Sequence, residues 1–110
     1  MSTPKPGQVV VTYIDRFRPD SFAAGRDLAV QGFTAAYKAH GAPVHVYYAT
    51  NDDEHELIGI VFYESEAAFD AWQASPLRKR VVDQIKPLLR EALMMRRYTV
   101  ASAHEVGRAG

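Results

Sequence analysis

The chain has 110 residues, 47% of them hydrophobic and 24% charged, which suits one globular domain with a modest core. Lys plus Arg and Asp plus Glu each total 13, so no net field draws nucleic acid or an anionic membrane. Cysteine is absent, which removes disulfides, thiolate nucleophiles and thiolate metal sites.

No run approaches the roughly 20 apolar residues that span a bilayer, and MSTPKPGQ lacks an apolar signal-peptide core. The expected location is the cytoplasm, with no membrane or nucleic-acid partner. Residues 1–7 read as a flexible lead, 8–101 as the folded domain and 102–110 as a tail.

Val9 to Phe17 (VVVTYIDRF) is rich in β-branched and aromatic residues and predicts a first strand. Val9, Val11, Tyr13, Asp15 and Phe17 share one face, and Val10, Thr12, Ile14 and Arg16 the other. Both faces begin apolar, so the strand is expected to be covered on both sides. Pro19-Asp20-Ser21 is a helix-start signal, with Asp20 or Ser21 as the cap. The helix is expected from about Phe22 to His40, ending at Gly41 with Pro43 beyond. Its polar face holds Asp27, Gln31, Thr34 and Lys38; its apolar arc holds Phe22, Leu28, Ala29, Val30, Phe33, Ala36 and Tyr37. Gly25, Ala29, Gly32 and Ala36 form a small-residue stripe, read either as close approach of a ligand or, in preference, as tight helix–sheet packing.

Val44 to Thr50 predicts strand two, Asn51 to His55 a polar hairpin loop and Glu56 to Tyr63 an antiparallel strand three. Ser65 caps a short helix carrying Ala68, Phe69 and Trp72 on one face. Ser75-Pro76 breaks and restarts it, with Leu77, Val81, Val82, Ile85, Leu88 and Leu89 at helical spacing and Pro87 ending it near Lys86. Leu93 to Ala101 is the expected strand four.

The order β-α-β-β-α-β is the ferredoxin-like arrangement of the α+β class, a four-stranded antiparallel sheet with both helices on one face. The other face carries Val10, Ile14, Ile58, Ile60, Phe62, Met94 and Tyr98. A homodimer packed through these sheet faces, a dimeric α/β barrel, is the expectation.

The run Phe62-Tyr63-Glu64-Ser65-Glu66-Ala67-Ala68-Phe69-Asp70-Ala71-Trp72, followed by Ser75-Pro76, resembles the antibiotic-biosynthesis-monooxygenase family of dimeric α/β barrels. There an aromatic-Glu-Ser turn leads into an EAF helix and a serine-proline break. The resemblance covers roughly residues 8 to 101. It implies a dimer, a pocket between sheet and helices, and oxygenation of a small aromatic, quinol or polyketide-type substrate without a cofactor. A polyketide cyclase or isomerase in the same pocket, and a non-catalytic ligand-binding or stress-response barrel, are the alternatives. The sequence departs from the pattern in places. His40-Gly41-Ala42-Pro43 replaces the Pro-Gly-Cys/Phe segment before strand two. Trp72 matches the tryptophan of the heme-degrading branch, but Asp15 stands at its asparagine and Val81 or Val82 at its heme-ligating histidine. Tyr63 replaces the tryptophan that the polyketide-oxidising branch carries before Glu-Ser.

Within that frame the expected catalytic residues are Tyr63, Asp15 and His45. Tyr63 would donate to a substrate oxygen; Asp15, at the rim of an apolar pocket, would be a general base or, in the blander reading, pair with Arg16 or Arg18. His45 would shuttle a proton. Trp72 would hold a flat substrate or simply fill the core, with Tyr13, Phe69, Phe33 and Tyr37 around it. Gly59 leaves either ligand space or a bulge. Arg26 would bind a substrate anion or reach past the apolar arc to water. His40, His45, His55 and His104 show no ligand spacing, so no metal is expected. Arg78-Lys79-Arg80 reads as a solvated helix face with Asp83 as a partner.

Overall fold

A computed structural model describes residues 4–107. Its strands are β1 (Val9–Arg16), β2 (Pro43–Asn51), β3 (Glu56–Tyr63) and β4 (Met94–Thr99). Its helices are α1 (Phe22–His40), α2 (Glu66–Gln73) and α3 (Pro76–Ile85), with single 3-10 turns at Pro19–Ser21 and Lys86–Leu88. All strand pairs are antiparallel and the sheet order is β2-β3-β1-β4, the ferredoxin-like topology.

Local chemistry sets the helix ends. α1 stops because Gly41 takes a left-handed backbone (φ 84) and its N–H bonds to the Tyr37 carbonyl, a conformation costly for a residue with Cβ. The Ser65 hydroxyl accepts from the Ala68 N–H at the start of α2, and the Ser75 hydroxyl from the Leu77 N–H at the start of α3. At the start of α1 the expectation fails: neither Asp20 nor Ser21 makes a side-chain cap, and the 3-10 turn at Pro19 leads straight into the helix. Pro87 lies in the turn that follows α3, which ends at Ile85 as its missing N–H requires.

The inner face of the sheet carries two separate cores. Val9 and Val11 on β1 join Val61 and Tyr63 on β3, Phe69 and Trp72 on α2, and Val81 on α3. Phe17, Phe22, Ala29, Leu57 and Ile85 form the second cluster. Phe33 of α1 packs against both. The glycine stripe on α1 is helix packing: a Cβ at Gly25 would fall 2.5 Å from the Phe17 ring, and one at Gly32 would fall 3.1 Å from Val81. Gly59 is not a bulge either, since Tyr13 and Tyr48 pair with it in continuous register; the irregularity lies between Pro43 and His45.

The lead is tied to the sheet, with the Gly7 N–H on the Val100 carbonyl and the Val100 N–H on the Gln8 carbonyl. Residues 1–3 of the lead and 108–110 of the tail fall outside the described residues. Among the described residues no helix is long and apolar enough to cross a membrane.

Because Phe17 is fully buried, its ring has no room to yield. Gly25→Ala should therefore lower stability by about 1–3 kcal/mol through overpacking, although alanine gains about 1 kcal/mol of helix propensity. Urea denaturation checks this; unchanged or higher stability would show slack around Phe17.

Candidate active site

Between the two cores the inner face opens into a cavity of about 240 Å³. One rung of the sheet makes its floor: Met95 of β4, Tyr13 of β1, Gly59 of β3 and Tyr48 of β2 are successive cross-strand neighbours and all line it. Asp15 and Leu57, paired on the adjacent inward rung, continue the floor. Phe33 and Tyr37 of α1 and Trp72 of α2 form apolar wall, and Gln73 and Arg78 bring polar groups from either side of the Ser75-Pro76 break. A Cβ at Gly59 would meet only the Tyr48 ring, at 3.9 Å, so the missing side chain leaves open space above the floor.

The aromatic wall is tightly organised. The Tyr37 ring lies 4.6 Å from Trp72 and 5.9 Å from Phe33, the latter stacked. Trp72 is fully buried and lines the cavity as well, so it is both core and site. Most hydroxyls here have partners: Tyr13 and Tyr63 share a 2.8 Å hydrogen bond, Tyr13 donates to Gln73 Oε1 at 3.3 Å, and Tyr48 is 2.9 Å from the Thr34 hydroxyl. With Tyr13 donating to Gln73, the Tyr63 hydroxyl must be the donor to Tyr13.

Asp15 differs. It is 4% exposed, and among the described residues no hydrogen bond or ion pair holds its carboxyl. Burial pushes its pKa up to about 7. The expected pairing with Arg16 does not form, because Arg16 points to the opposite sheet face and binds Glu56 at 2.8 Å and Glu91 at 3.1 Å. A proton held more tightly in the folded state than in the unfolded one makes the fold lose stability as pH rises from about 4 to about 7. Desolvation raises the Tyr37 and Tyr48 hydroxyls too, and the Asp15 charge adds to both. Tyr13 is also raised by burial, against the opposing effects of the Tyr63 hydrogen bond and the Arg78 charge. The Arg78 charge opposes the rise at Tyr13, Tyr37 and Tyr63, burial alone sets Asp15, and Tyr37 feels both the carboxyl and the guanidinium.

Of the residues expected at the site, Asp15, Tyr13, Phe33, Tyr37 and Trp72 line the cavity, and four do not. Tyr63 is sealed behind Tyr13, its ring packed edge-on to Phe69 at 5.4 Å; it can orient the Tyr13 hydroxyl but not touch a ligand. Phe69 lies beneath the Arg97 guanidinium, away from the opening. His45 pairs with Phe62 on the opposite sheet face and stacks on Tyr47, so it cannot reach a proton in the cavity. Arg26 sits over the Phe22 ring and pairs with Asp27 at 3.1 Å, reaching along the apolar arc to the surface.

Sequence reasoning missed Tyr48, Gln73 and Arg78. Pairing parity with β3 could have found Tyr48, whereas nothing in the Arg78-Lys79-Arg80 run distinguishes the inward cation. Val82, one of the two valines at the expected heme-ligand position, lines the cavity with an alkyl group. Among the described residues no three His, Asp or Glu side chains converge as a metal site.

No protein-family model matches the sequence, and no curated protein matches it. Solved structures do. Rv0793 from Mycobacterium tuberculosis superposes with TM-score 0.71 at 22% identity, over 94% of this chain and 99% of that one. A Caulobacter crescentus protein provisionally named an antibiotic biosynthesis monooxygenase gives 0.77 at 14% identity, over 88% and 92%. A Nitrosomonas europaea protein with the same provisional name gives 0.74 at 9% identity, over 90% and 95%. The chain therefore has the ferredoxin-like α+β fold shared by structures that carry the antibiotic biosynthesis monooxygenase name.

Proposed function

We propose that this protein is a monooxygenase of the antibiotic-biosynthesis type, oxidising a small phenolic or quinol-type aromatic with O₂ and using no cofactor. The observation that carries the reading is Asp15: an unpaired, buried carboxyl with a pKa of about 7, facing an aromatic-walled cavity. Such a group is costly to fold around and suited to general-base work near neutral pH.

The chemistry balances without an added reductant. Ionised Asp15 removes a proton from the ring CH₂ of the phenol's keto tautomer, and the resulting electron-rich anion transfers electrons to O₂ and forms a C–O bond. The peroxide anion takes the proton back from Asp15. Asp15 then removes the second hydrogen of the same carbon as the O–O bond breaks. The departing oxygen leaves as water with that proton, so CH₂ plus O₂ becomes C=O plus H₂O. Trp72, Tyr37 and Phe33 hold the ring and exclude water. Tyr48, on the floor beside Asp15, supplies its hydroxyl proton to the developing oxyanion while the Thr34 hydroxyl donates to it.

A second copy of the chain is part of the reading. The sheet face opposite the helices carries Val10, Ile14, Ile58, Ile60, Phe62, Met94 and Tyr98 by register, and Tyr47 and Tyr98 are 42% and 51% exposed. Covering that face by an identical one would remove this apolar surface from water. Light scattering coupled to gel filtration should give a dimer mass, and Tyr98→Lys should shift it towards the monomer; a monomeric unmutated chain would contradict the pairing.

Oxygen uptake with anthrone tests the reaction. The activity should rise through about pH 7 as Asp15 ionises, and Trp72→Phe should weaken it by raising KM. Asp15→Asn should abolish uptake yet raise stability at pH 8 by up to on the order of 4 kcal/mol, the free energy equivalent of the shifted pKa. The same variant should flatten the fall in stability between about pH 4 and 7 seen in urea titrations. Tight aromatic binding without uptake would favour the ligand-binding barrel instead.

A further inference from the structure

We propose that the cavity selects an aromatic carboxylate and that Arg78 is the residue that selects it. This rests on the reading of the cavity as a substrate site, and it narrows the substrate class. Arg78 lies in the first turn of α3, where a cation faces the positive end of the helix dipole, an arrangement that costs stability. Among the described residues no carboxylate pairs with it, whereas its neighbour Lys79 reaches Asp83 at 2.7 Å and lies 76% exposed. Arg80 lines a separate groove between α1 and α3. Of the three consecutive cations, only Arg78 belongs to the cavity.

The surroundings suit a planar anion. Gln73 accepts from Tyr13 through Oε1, which leaves its amide N–H groups as donors on the same cavity. A guanidinium fork matches a carboxylate with two parallel hydrogen bonds, and Arg78, like Gln73, is half-buried on this wall. Asp15, the one buried carboxyl among the described residues, makes no ion pair with Arg78, so the guanidinium is left to an anionic ligand. The aromatic wall of Trp72, Tyr37 and Phe33 then receives the ring. A cavity of about 240 Å³ lies below the roughly 300–1,000 Å³ of drug-sized sites, which favours a compact aromatic over an extended polycyclic one.

Isothermal titration calorimetry with 2-naphthoate and its neutral counterpart 2-naphthalenemethanol tests the proposal. The unmutated protein should bind the carboxylate at least tenfold more tightly. Arg78→Gln should remove that preference while leaving the alcohol's affinity within twofold, and Arg78→Lys should retain part of it. Lys79→Gln, the same charge change outside the cavity, should leave the preference intact. Equal affinity for the two ligands, binding of neither, or an equal loss in Lys79→Gln would overturn the assignment. The comparison on the unmutated protein stands even if Arg78→Gln fails to fold. Charge-selective binding without oxygen uptake from anthrone would remove the oxygenase reading and leave the carboxylate preference standing. Uptake without charge selectivity would do the reverse.

Discussion

The site exists because the apolar ladder on the inner sheet face is interrupted. Val61 and Leu57 of β3 each feed a separate core, and Gly59 between them contributes no side chain. On the neighbouring strand the same interval holds Tyr13 and Asp15, between Val11 and Phe17. Two hydrophobic clusters therefore hold the fold together and leave an unfilled interval between them. Phe33 touches both clusters and closes the roof without filling it. A side chain at Gly59 would project into the gap beside Tyr48 and narrow the cavity.

The helices that furnish the polar groups depend on Trp72. α2 has eight residues, too few to be stable alone, and it is held by burial of Phe69 and Trp72. Trp72 also joins α2 to α1, with Tyr37 at 4.6 Å and His40 edge-on at 5.4 Å. Gln73 follows it directly, and the Ser75 cap then fixes the entry of α3 and hence Arg78. The hydroxyls of Tyr13, Tyr63, Tyr48 and Thr34 satisfy one another, which rigidifies the floor. Asp15 and Arg78 are left without protein partners among the described residues, and that contrast separates structural from functional polarity in this cavity.

Much of the fold was legible because its signals are local. The C-terminal end of α1 follows from Gly41, the bounds of β3 from the polar loop before it and Glu64-Ser65 after it, and the serine caps of α2 and α3 from their sequences. β1 parity placed Tyr13 and Asp15 on the inner face correctly. Parity also shows why His45 failed as a site residue: VHVYYAT carries rings on both faces, and only pairing with β3 tells that His45 and Tyr47 face out while Tyr48 faces in. Tyr63 was inward as expected, but its depth behind Tyr13 is a tertiary fact that no strand pattern encodes. Arg78 was hidden because a run of three cations reads as solvated, and which one turns inward depends on how α3 docks against α1 through Gly32 and Val81.

The site depends on one carboxyl being held protonated by burial. Its most direct measurement is a ¹³C NMR titration of the Asp15 side-chain carboxyl, assigned through Asp15→Asn. The resonance should move with a midpoint near pH 7, with the ligand-free protein folded throughout. A midpoint near the ordinary aspartate value of about 4 would contradict the central claim, because a carboxyl ionised that easily would be solvated or paired and not poised as a base.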